Sequence, residues 1–488
     1  MASNRQFGCL NVNRQRCICV AVDWATTFVA FLLFNIFRFF YMGLGDGARE
    51  LSYYLFSQKL IFEQLFVPVL LLGVYWLSGY YNRPFERSRL RELLLTLYSQ
   101  LFNAVIIYLA ALTNDQMYLR RENWMLLLIL FLLLFTFCYF GRLIVTDRML
   151  AKLKKHNIKP RTVIVGLSSE AAKIAERLQA PNKKPEGHLV GFLPFGNEKD
   201  VTEMRAKFPS APIIEDIDGL KALCQEGKID QVIVVPTPGK SPANKVLYLL
   251  YNLYPYDVSI KIAPDLMGLI TPTIRLEDIL SEPLIDLSTP QISDFSRNVK
   301  RTIDVFVSGV GLILLSPLFG FLAFVVKRSS PGKIFFSQER IGIHRKPFNI
   351  HKFRSMVEDA EKDGVPRLSG DNDVRITGVG KWMRKYRFDE LPQLWNVFKG
   401  DMSLVGPRPE REYFIDQIVK KAPWYTLVLQ VRPGITSWGM VKYGYASNIE
   451  QMIERNRYDL IYLTNMSIAV DFKILIHTVK TVGAGEGK

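Results

Sequence analysis

The chain has 488 residues, a formal net charge of +16 and a hydrophobic content of 49%. Its length leaves room for about three domains. The sequence contains no nucleic-acid-binding motif, and its basic residues crowd beside long apolar segments. Anionic lipid headgroups and phosphorylated substrates therefore explain the positive charge better than nucleic acid does. The five cysteines and five histidines form neither a disulfide framework nor a zinc-ligand pattern, which favours a reducing compartment.

Four apolar runs occupy the first 150 residues. Each has about the 20 residues that a helix needs to cross the hydrocarbon core of a bilayer. The first run is too long for a cleaved signal peptide, lacks a small-residue cleavage site and is followed by further runs. We therefore predict a four-helix transmembrane domain over residues 1–150, with spans at residues 20–41, 60–81, 93–112 and 124–145.

The distribution of basic residues predicts the orientation of these four spans. Arginine and lysine are concentrated before the first span, between the second and third, and after the fourth. Cytoplasmic loops carry such an excess, so both ends of the four-helix domain are expected in the cytoplasm. The residues are Arg5, Arg14, Arg16, Arg83, Arg87, Arg89, Arg91, Arg142, Arg148, Lys152, Lys154 and Lys155.

Residues 151–290 alternate between short β-branched runs and helical patterns. This alternation predicts a parallel α/β sheet of Rossmann-like type. The first strand and turn retain Gly166, the first glycine of a dinucleotide fingerprint, but not the others. The evidence for a bound nucleotide is weak, so a structural or regulatory domain is favoured. The predicted strands are residues 161–166, 189–194, 212–215, 231–236 and 258–263.

A fifth apolar segment, residues 303–326, is also long enough to span a membrane. Ser316 and Pro317 interrupt it near the middle, where proline removes a helix hydrogen bond and forces a break or kink. Basic residues flank the segment on both sides. A helix that enters one leaflet, breaks at Ser316-Pro317 and returns would keep both flanks in the cytoplasm. The alternative is an ordinary kinked span.

Residues 384–411 contain the densest group of chemically useful side chains. Asp389 and Glu390 stand side by side at the predicted start of a short helix. Arg384 precedes them, and Arg408 lies in a Pro-Arg-Pro loop that follows. One carboxylate can attack or hold a metal while guanidinium groups bind phosphate oxygens, as phosphoryl chemistry on a nucleotide requires. The plainer interpretation is a helix cap with a surface salt-bridge cluster.

An ordered series of motifs across residues 297–482 resembles the polyprenyl-phosphate hexose-1-phosphate transferases, the monotopic phosphoglycosyl transferases of bacteria. The four preceding spans and the α/β insert resemble the long form of that family. The sequence departs from the family's usual glycine-tryptophan-alanine-glutamine at Ser437-Trp438-Gly439-Met440. The matching motifs are Ser316-Pro317, Gln338-Glu339-Arg340-Ile341-Gly342, Lys352-Phe353-Arg354-Ser355-Met356, Arg375-Ile376-Thr377, Asp389-Glu390-Leu391-Pro392, Gly406-Pro407-Arg408-Pro409 and Arg432-Pro433-Gly434-Ile435-Thr436.

The resemblance implies a catalytic α/β domain over residues 297–488 with a re-entrant helix. It implies that Asp389 attacks the β-phosphorus of a UDP-sugar, that UMP leaves, and that undecaprenyl phosphate then accepts the sugar phosphate. Glu390 is expected to hold Mg²⁺, and Arg384 and Arg408 to contact the nucleotide or sugar phosphates. Lys352 and Arg354 are further candidates for phosphate contacts of substrate or lipid.

The resemblance further implies the bacterial inner membrane, with the catalytic domain on the cytoplasmic face, and the first membrane step of exopolysaccharide, capsule or O-antigen synthesis. UDP-glucose or UDP-galactose is the favoured donor, and an N-acetylated sugar stays open. A homodimer held by the four spans is expected. Two alternatives are a non-catalytic scaffold that senses a ligand through the α/β domain, and a multi-spanning transferase without a covalent step.

Overall fold

The computed structural model describes most of the chain, in twelve segments. These are residues 12–43, 48–82, 89–109, 120–155, 159–179, 187–194, 198–236, 243–256, 258–263, 284–287, 292–357 and 373–483. The chain divides into two compact units, the first formed by residues 3–159 and the second by residues 160–488.

The first unit is helical. Its helices are α1 (Val12–Tyr41), α2 (Ala48–Leu55), α3 (Gln58–Leu77), α4 (Arg89–Ile107) and α5 (Arg120–Lys155). All except the short α2 are long and apolar enough to cross a membrane. The prediction of four apolar helices able to span a membrane is therefore confirmed. The predicted end of the third run, residues 110–112, lies outside the described residues.

A buried ion pair joins the first and last helices of this unit. Arg142 on α5 donates from Nε and Nη2 to the two carboxylate oxygens of Asp23 on α1, at 2.8 and 3.0 Å. Tyr81 donates to the same carboxylate at 2.7 Å. Arg142 is therefore buried inside the bundle and is not one of the flanking cytoplasmic residues among which the sequence placed it. A charge in an apolar bundle is tolerated only when it is paired, and this pair fixes how α1 and α5 face each other.

The second unit begins with a five-stranded sheet in the order β2-β1-β3-β4-β5. Its strands are β1 (Arg161–Val165), β2 (His188–Leu193), β3 (Gln231–Val234), β4 (Ser259–Ile262) and β5 (Ile285–Asp286). The first four strands are parallel, and β5 is antiparallel to β4. The helices between them are α6 (Ser169–Gln179), α7 (Glu198–Lys207), α8 (Ile217–Gln225) and α9 (Ala243–Leu253).

Four of the five predicted parallel strands form. The prediction of a strand at residues 212–215 is wrong, since this stretch makes only an isolated bridge between Ile213 and Phe192. The stretch ends at Asp216, whose side chain caps α8, so too few residues remain for a strand. Gly166 directly follows β1 and has φ +119°, and a β-carbon there would lie 2.4 Å from the carbonyl oxygen of Val235. Close packing of β1 against the residue after β3 therefore accounts for this glycine.

The remainder of the second unit begins with two helices joined at a sharp bend. They are α10 (Asp294–Leu314) and α11 (Ser316–Ser329), bent by 62°. Leu315 marks the break, and Pro317 lies in the first turn of α11, where a missing N–H costs little. The bend thus lies where Ser316 and Pro317 predicted it. The helical segment, residues 294–329, extends beyond the predicted 303–326.

The amino-terminal half of α10 is bound to the rest of this unit. Asp304 is buried and accepts a hydrogen bond from the backbone N–H of Leu404 at 3.0 Å. Lys300 donates to the carbonyl of Val405 at 2.9 Å and pairs with Asp471 at 2.5 Å. The carboxyl-terminal half exposes large apolar side chains instead, including Ile313 and Leu314, which are 74% and 72% exposed.

After these helices come two small β-pairs surrounded by helices. Strands β6 (Phe335–Ile341) and β7 (Pro347–Phe353) form an antiparallel hairpin, and β8 (Ser403–Val405) pairs in parallel with β9 (Gly434–Thr436). The helices are α12 (Gly378–Lys385), α13 (Gln393–Lys399), α14 (Glu412–Lys421), α15 (Trp438–Lys442), α16 (Ile449–Thr464) and α17 (Ile468–Gly483). Short 3₁₀ segments occur at Ile343–Arg345, Phe388–Glu390 and Pro423–Gln430.

The α/β sheet and these later elements share one apolar core. The contact includes the turn of the β6–β7 hairpin, where His344 and Arg345 both have positive φ values, 53° and 57°. The His344 ring lies 5.7 Å from that of Tyr254, and the Arg345 guanidinium lies 4.2 Å from the ring centre of Tyr251. Two successive left-handed residues that are not glycine are unfavourable alone. The aromatic residues around α9 therefore support this turn.

We expect Gly434→Ala to destabilise the second unit, because β8 and β9 meet at two glycines. A β-carbon on Gly434 would lie 2.1 Å from the backbone nitrogen of Gly406, and backbone atoms cannot move aside. We predict a loss of about 3 kcal/mol, measured by thermal unfolding in detergent. Gly378→Ala is the matched control, because its β-carbon would enter open space. Equal stability of the two variants would contradict the close approach.

Candidate active site

Asp389 and Glu390 lie on the 3₁₀ turn that precedes α13. Both carboxylates are buried, with 6% and 5% of their surface exposed. Arg387, directly before the turn, adopts a left-handed backbone with φ 55°, a conformation that costs a non-glycine residue about 1–3 kcal/mol. The predicted short helix begins only at Gln393, so the acidic pair stands on a separate, sharper turn. This turn places both carboxylates among basic side chains from other segments.

Three cations surround the carboxylate of Glu390. Lys352 on β7 donates to its Oε1 at 2.8 Å. Arg408, from the Pro-Arg-Pro loop, approaches the same oxygen at 3.7 Å, and Nε of Arg387 lies 3.7 Å from Oε2. Burial raises the pKa of Glu390, but these three cations outweigh it and hold the pKa well below the usual range. Glu390 is thus held in its anionic form at neutral pH.

Asp389 has the opposite electrostatic environment. Burial raises the pKa of its carboxyl group, and the neighbouring Glu390 anion raises it further, while Lys352 and Arg384 oppose both effects. Within the described segments, no hydrogen bond or ion pair reaches this carboxylate. A buried carboxylate without hydrogen-bond donors keeps its lone pairs available and is less stabilised as an anion. Asp389 is therefore the more reactive member of the pair.

The structure brings together four of the predicted site residues, places Arg384 near them and separates Arg354 from them. Lys352, Asp389, Glu390 and Arg408 form one cluster. Arg384 donates from Nε to the hydroxyl of Ser355 at 2.9 Å and is close enough to lower the pKa of Asp389.

Arg354 lies elsewhere, although the sequence places it two residues from Lys352. Its guanidinium donates to the carbonyl oxygens of Ser330 and Pro331 at 2.6 and 2.8 Å, just beyond the end of α11. These contacts satisfy the carbonyl end of the bent helix pair. They disfavour the prediction that Arg354 contacts a phosphate.

Two buried acidic residues connect α16 to the end of the Pro-Arg-Pro loop and to the segment at Gly439. Glu410 pairs with Arg455 on α16 at 2.5 Å, and its carbonyl accepts from the N–H of Ile341. Asp459, also on α16, accepts from the N–H of Gly439 at 2.9 Å. Burial raises the pKa of Asp459 to about 6, although the N–H of Gly439 and the nearby Arg455 guanidinium lower it. The segment that departs from the family pattern is thus fastened to the same helix as the loop.

Several residues of this site were not among those predicted. Arg387 was visible in the basic run before the acidic pair, and Glu410 directly follows the Pro-Arg-Pro motif. Tyr445 had no sequence signal. Its hydroxyl accepts from Nη2 of Arg387 at 3.1 Å and from Nε at 3.4 Å, so it belongs to the site through contacts that form only in the fold.

The acidic pair also fits a divalent cation. Oε2 of Glu390 is buried and has no hydrogen-bond partner. No group of three His, Cys, Asp or Glu side chains that could hold a metal occurs in the part of the chain that the structure describes. Mg²⁺ does not need such a cage, since it commonly uses one or two carboxylates with substrate phosphates and water. Glu390, with Asp389 beside it, suits that pattern.

Comparison with known proteins places this site in a recognised family. Residues 295–485 match the bacterial sugar transferase family. A putative undecaprenyl-phosphate N-acetylgalactosaminyl 1-phosphate transferase of Bacillus subtilis is 41% identical over 29% of the chain and 83% of its own length. The UDP-glucose:undecaprenyl-phosphate glucose-1-phosphate transferase of Escherichia coli K12 is 36% identical over 48% of the chain and 51% of its own length.

A third relative matches across both units. The undecaprenyl-phosphate galactose phosphotransferase of Salmonella typhimurium is 29% identical over 88% of each chain. This chain spans about half the length of the Escherichia coli protein, and likewise of an Aeromonas hydrophila relative that is 38% identical.

We expect Lys352→Met to destabilise the fold by about 3 kcal/mol at pH 7, because it leaves a buried carboxylate less well compensated. The pKa of Glu390 is lowered from its ordinary value of 4.5. Its ion pairing therefore contributes stability above pH 4.5, and that contribution is lost as the pH falls. The difference in stability between Lys352→Met and wild type, measured by thermal unfolding, should therefore become smaller below pH 4.5.

The matched control for this prediction is Lys399→Met. Lys399 is 62% exposed and pairs with Asp401 at 3.0 Å, and its replacement should change stability by less than about 1 kcal/mol. A loss in Lys352→Met that stays constant from pH 7 to pH 3.5 would indicate lost packing instead of lost ion pairing.

Proposed function

Because this chain belongs to the bacterial sugar transferase family, we propose that it is a phosphoglycosyl transferase. It transfers a sugar 1-phosphate from a UDP-sugar to undecaprenyl phosphate and releases UMP. These relatives are named as undecaprenyl-phosphate sugar phosphotransferases. The proposal rests on the different environments of two adjacent buried carboxylates. Three cations stabilise the anion of Glu390, whereas the carboxylate oxygens of Asp389 accept no hydrogen bond within the described residues.

In the first step, a carboxylate oxygen of Asp389 attacks the β-phosphorus of the UDP-sugar. The bond from that phosphorus to the bridging oxygen breaks, and UMP leaves with this oxygen. Asp389 then carries the sugar phosphate as an acyl phosphate. Arg387 and Arg408 supply planar donors that suit phosphate oxygens, and their charge reduces the repulsion between the attacking carboxylate and the anionic diphosphate.

In the second step, a phosphate oxygen of undecaprenyl phosphate attacks the same phosphorus. The bond to Asp389 breaks, its carboxylate is restored, and undecaprenyl-diphospho-sugar is the product. A covalent intermediate divides one difficult displacement into two easier ones. Glu390 would hold Mg²⁺, which neutralises charge on the diphosphate of the donor. Lys352 keeps Glu390 ionised and oriented for that role.

The bent pair α10–α11 would let the enzyme reach a lipid substrate from one side of the membrane. We infer that it enters a single leaflet and returns, since basic residues flank both of its ends and its apolar side chains are exposed around the bend. The catalytic part would then lie on the cytoplasmic face of the bacterial inner membrane, where UDP-sugars are made. An ordinary kinked span would place it on the opposite face.

The remaining details of the proposal follow the relatives. A hexose donor, UDP-glucose or UDP-galactose, is favoured, although a relative named for an N-acetylated sugar keeps that class open. The product would start an exopolysaccharide, capsule or O-antigen chain. The α/β sheet is proposed as a Rossmann-like structural or regulatory domain, and the four spans as the contact of a homodimer. A non-catalytic scaffold is disfavoured, because the acidic pair and its cations are all in place.

The decisive test is release of UMP by purified protein in detergent with Mg²⁺ and a panel of UDP-sugars. We expect release with one donor that continues only when undecaprenyl phosphate is present. The rate should rise with pH through the raised pKa of Asp389, because the attacking group must be deprotonated. No release with any donor, from folded protein, would favour the scaffold.

Asp389→Asn should lower turnover by at least about 10³-fold, because an amide cannot form the acyl phosphate. Intact mass spectrometry of wild type with donor alone should detect one added hexose phosphate, absent from the variant. Asp218→Asn, at an exposed residue of α8, is the matched control and should leave both results unchanged. Turnover retained in Asp389→Asn would exclude the nucleophilic role.

The re-entrant topology can be tested by labelling single cysteines from outside the cell with a membrane-impermeant maleimide. In a cysteine-free background, we expect no labelling at Thr302→Cys or Lys333→Cys, on either side of the bent pair. Tyr53→Cys, between the first two spans and 84% exposed, should be labelled. Labelling of Lys333→Cys without labelling of Thr302→Cys would show instead that the segment crosses the membrane.

A further inference from the structure

Tyr445 contacts both arginines that flank Glu390. Its hydroxyl accepts two hydrogen bonds from Arg387, and the Arg387 guanidinium carbon lies 5.5 Å from its ring centre. The guanidinium carbon of Arg408 lies 5.4 Å from the same centre. Both distances are within the range of cation–π attraction. One aromatic side chain thus restrains two like charges that would otherwise repel each other.

The hydrogen bonds of Arg387 explain why one carboxylate oxygen of Glu390 has no hydrogen-bond donor. Nε of Arg387 is 3.7 Å from Oε2 of Glu390, yet it directs its N–H to the Tyr445 hydroxyl. Oε2 is consequently left buried without a hydrogen-bond donor. An unsatisfied buried carboxylate oxygen is costly, and a nearby arginine would normally remove that cost. Tyr445 prevents it from doing so.

The loop that carries Tyr445 is anchored at its carboxyl-terminal end and can change conformation at its amino-terminal end. Tyr445 lies between α15 and α16. Asn448 caps α16 by accepting the N–H of Gln451 at 2.8 Å. On the other side, Gly444 has φ +87° and open space around it. The loop can therefore adjust at Gly444 while its far end stays anchored.

We propose that Tyr445 is a positioning residue that holds Arg387 and Arg408 for the diphosphate of the nucleotide sugar and keeps Oε2 of Glu390 uncovered. This inference rests on the proposed function. Without Tyr445, Arg387 would close onto Glu390 and form a direct charge-assisted hydrogen bond. That bond would occupy both the N–H of Arg387 that would otherwise bind phosphate and the Glu390 oxygen that would otherwise bind a cation. The protein without substrate would become more stable, and the UDP-sugar would bind more weakly.

The test is Tyr445→Phe, which removes the hydroxyl and keeps the ring. We expect kcat/KM for the UDP-sugar to fall about 10-fold or more, with KM for undecaprenyl phosphate unchanged. The Kd for UDP, measured by calorimetry, should weaken by a similar factor. The thermal midpoint should stay at or above that of wild type, because the buried Glu390 oxygen gains a donor. Tyr445→Leu, which also removes the ring, should weaken UDP binding further.

The matched control is Tyr443→Phe, two residues away on the same loop and exposed. It should leave kinetics, UDP binding and thermal midpoint unchanged. Wild-type kinetics and UDP affinity in Tyr445→Phe would overturn the proposal. A fall in activity that matches a fall in thermal midpoint, with unchanged UDP affinity, would also overturn it by showing a purely structural role. A wild-type protein that binds UDP but releases no UMP would contradict the proposed function alone.

Discussion

The pairing of Glu390 with Lys352, Arg387 and Arg408 is the interaction on which the candidate active site depends. Each cation comes from a different segment: the β6–β7 hairpin, the turn before α13 and the Pro-Arg-Pro loop. A buried carboxylate is tolerated only when such partners are present. The site therefore exists only when all three segments are correctly placed. Burial raises the pKa of Asp389 beside it, and the Glu390 anion raises this pKa further.

Much of this arrangement could be predicted from residues that act locally. Four apolar runs of sufficient length, alternating β-branched and helical stretches, and a proline in a long apolar helix each determine structure within a few turns of themselves. The acidic pair was recognisable because its neighbours in sequence carry the relevant charges. Arg387 and Glu410 could also have been found in this way, since they lie within the same motifs.

The residues that sequence reasoning missed or misplaced depend on contacts between distant segments. Tyr445 enters the site across 58 positions from Arg387, and no periodicity signals such a contact. Arg354 seemed equivalent to Lys352, but the strand ends at Phe353, so its side chain meets the end of α11. Arg142 was grouped with the basic residues that flank the fourth span, but its partner, Asp23, lies on another helix of the bundle. Charge alone does not show whether a basic residue faces substrate, lipid or a buried partner.

The left-handed turn at His344 and Arg345 bears on modularity. This turn closes the hairpin whose second strand supplies Lys352, and Tyr251 and Tyr254 of the α/β region support it. The putative transferase of Bacillus subtilis matches only 29% of this chain over 83% of its own length, so a relative can be much shorter than this chain. In this chain, however, the two parts have a common core. Residues 292–483 therefore cannot be separated from the α/β sheet without structural cost. Removal of the sheet would expose an apolar surface and remove the contacts of the hairpin turn, at the end of the hairpin far from Lys352.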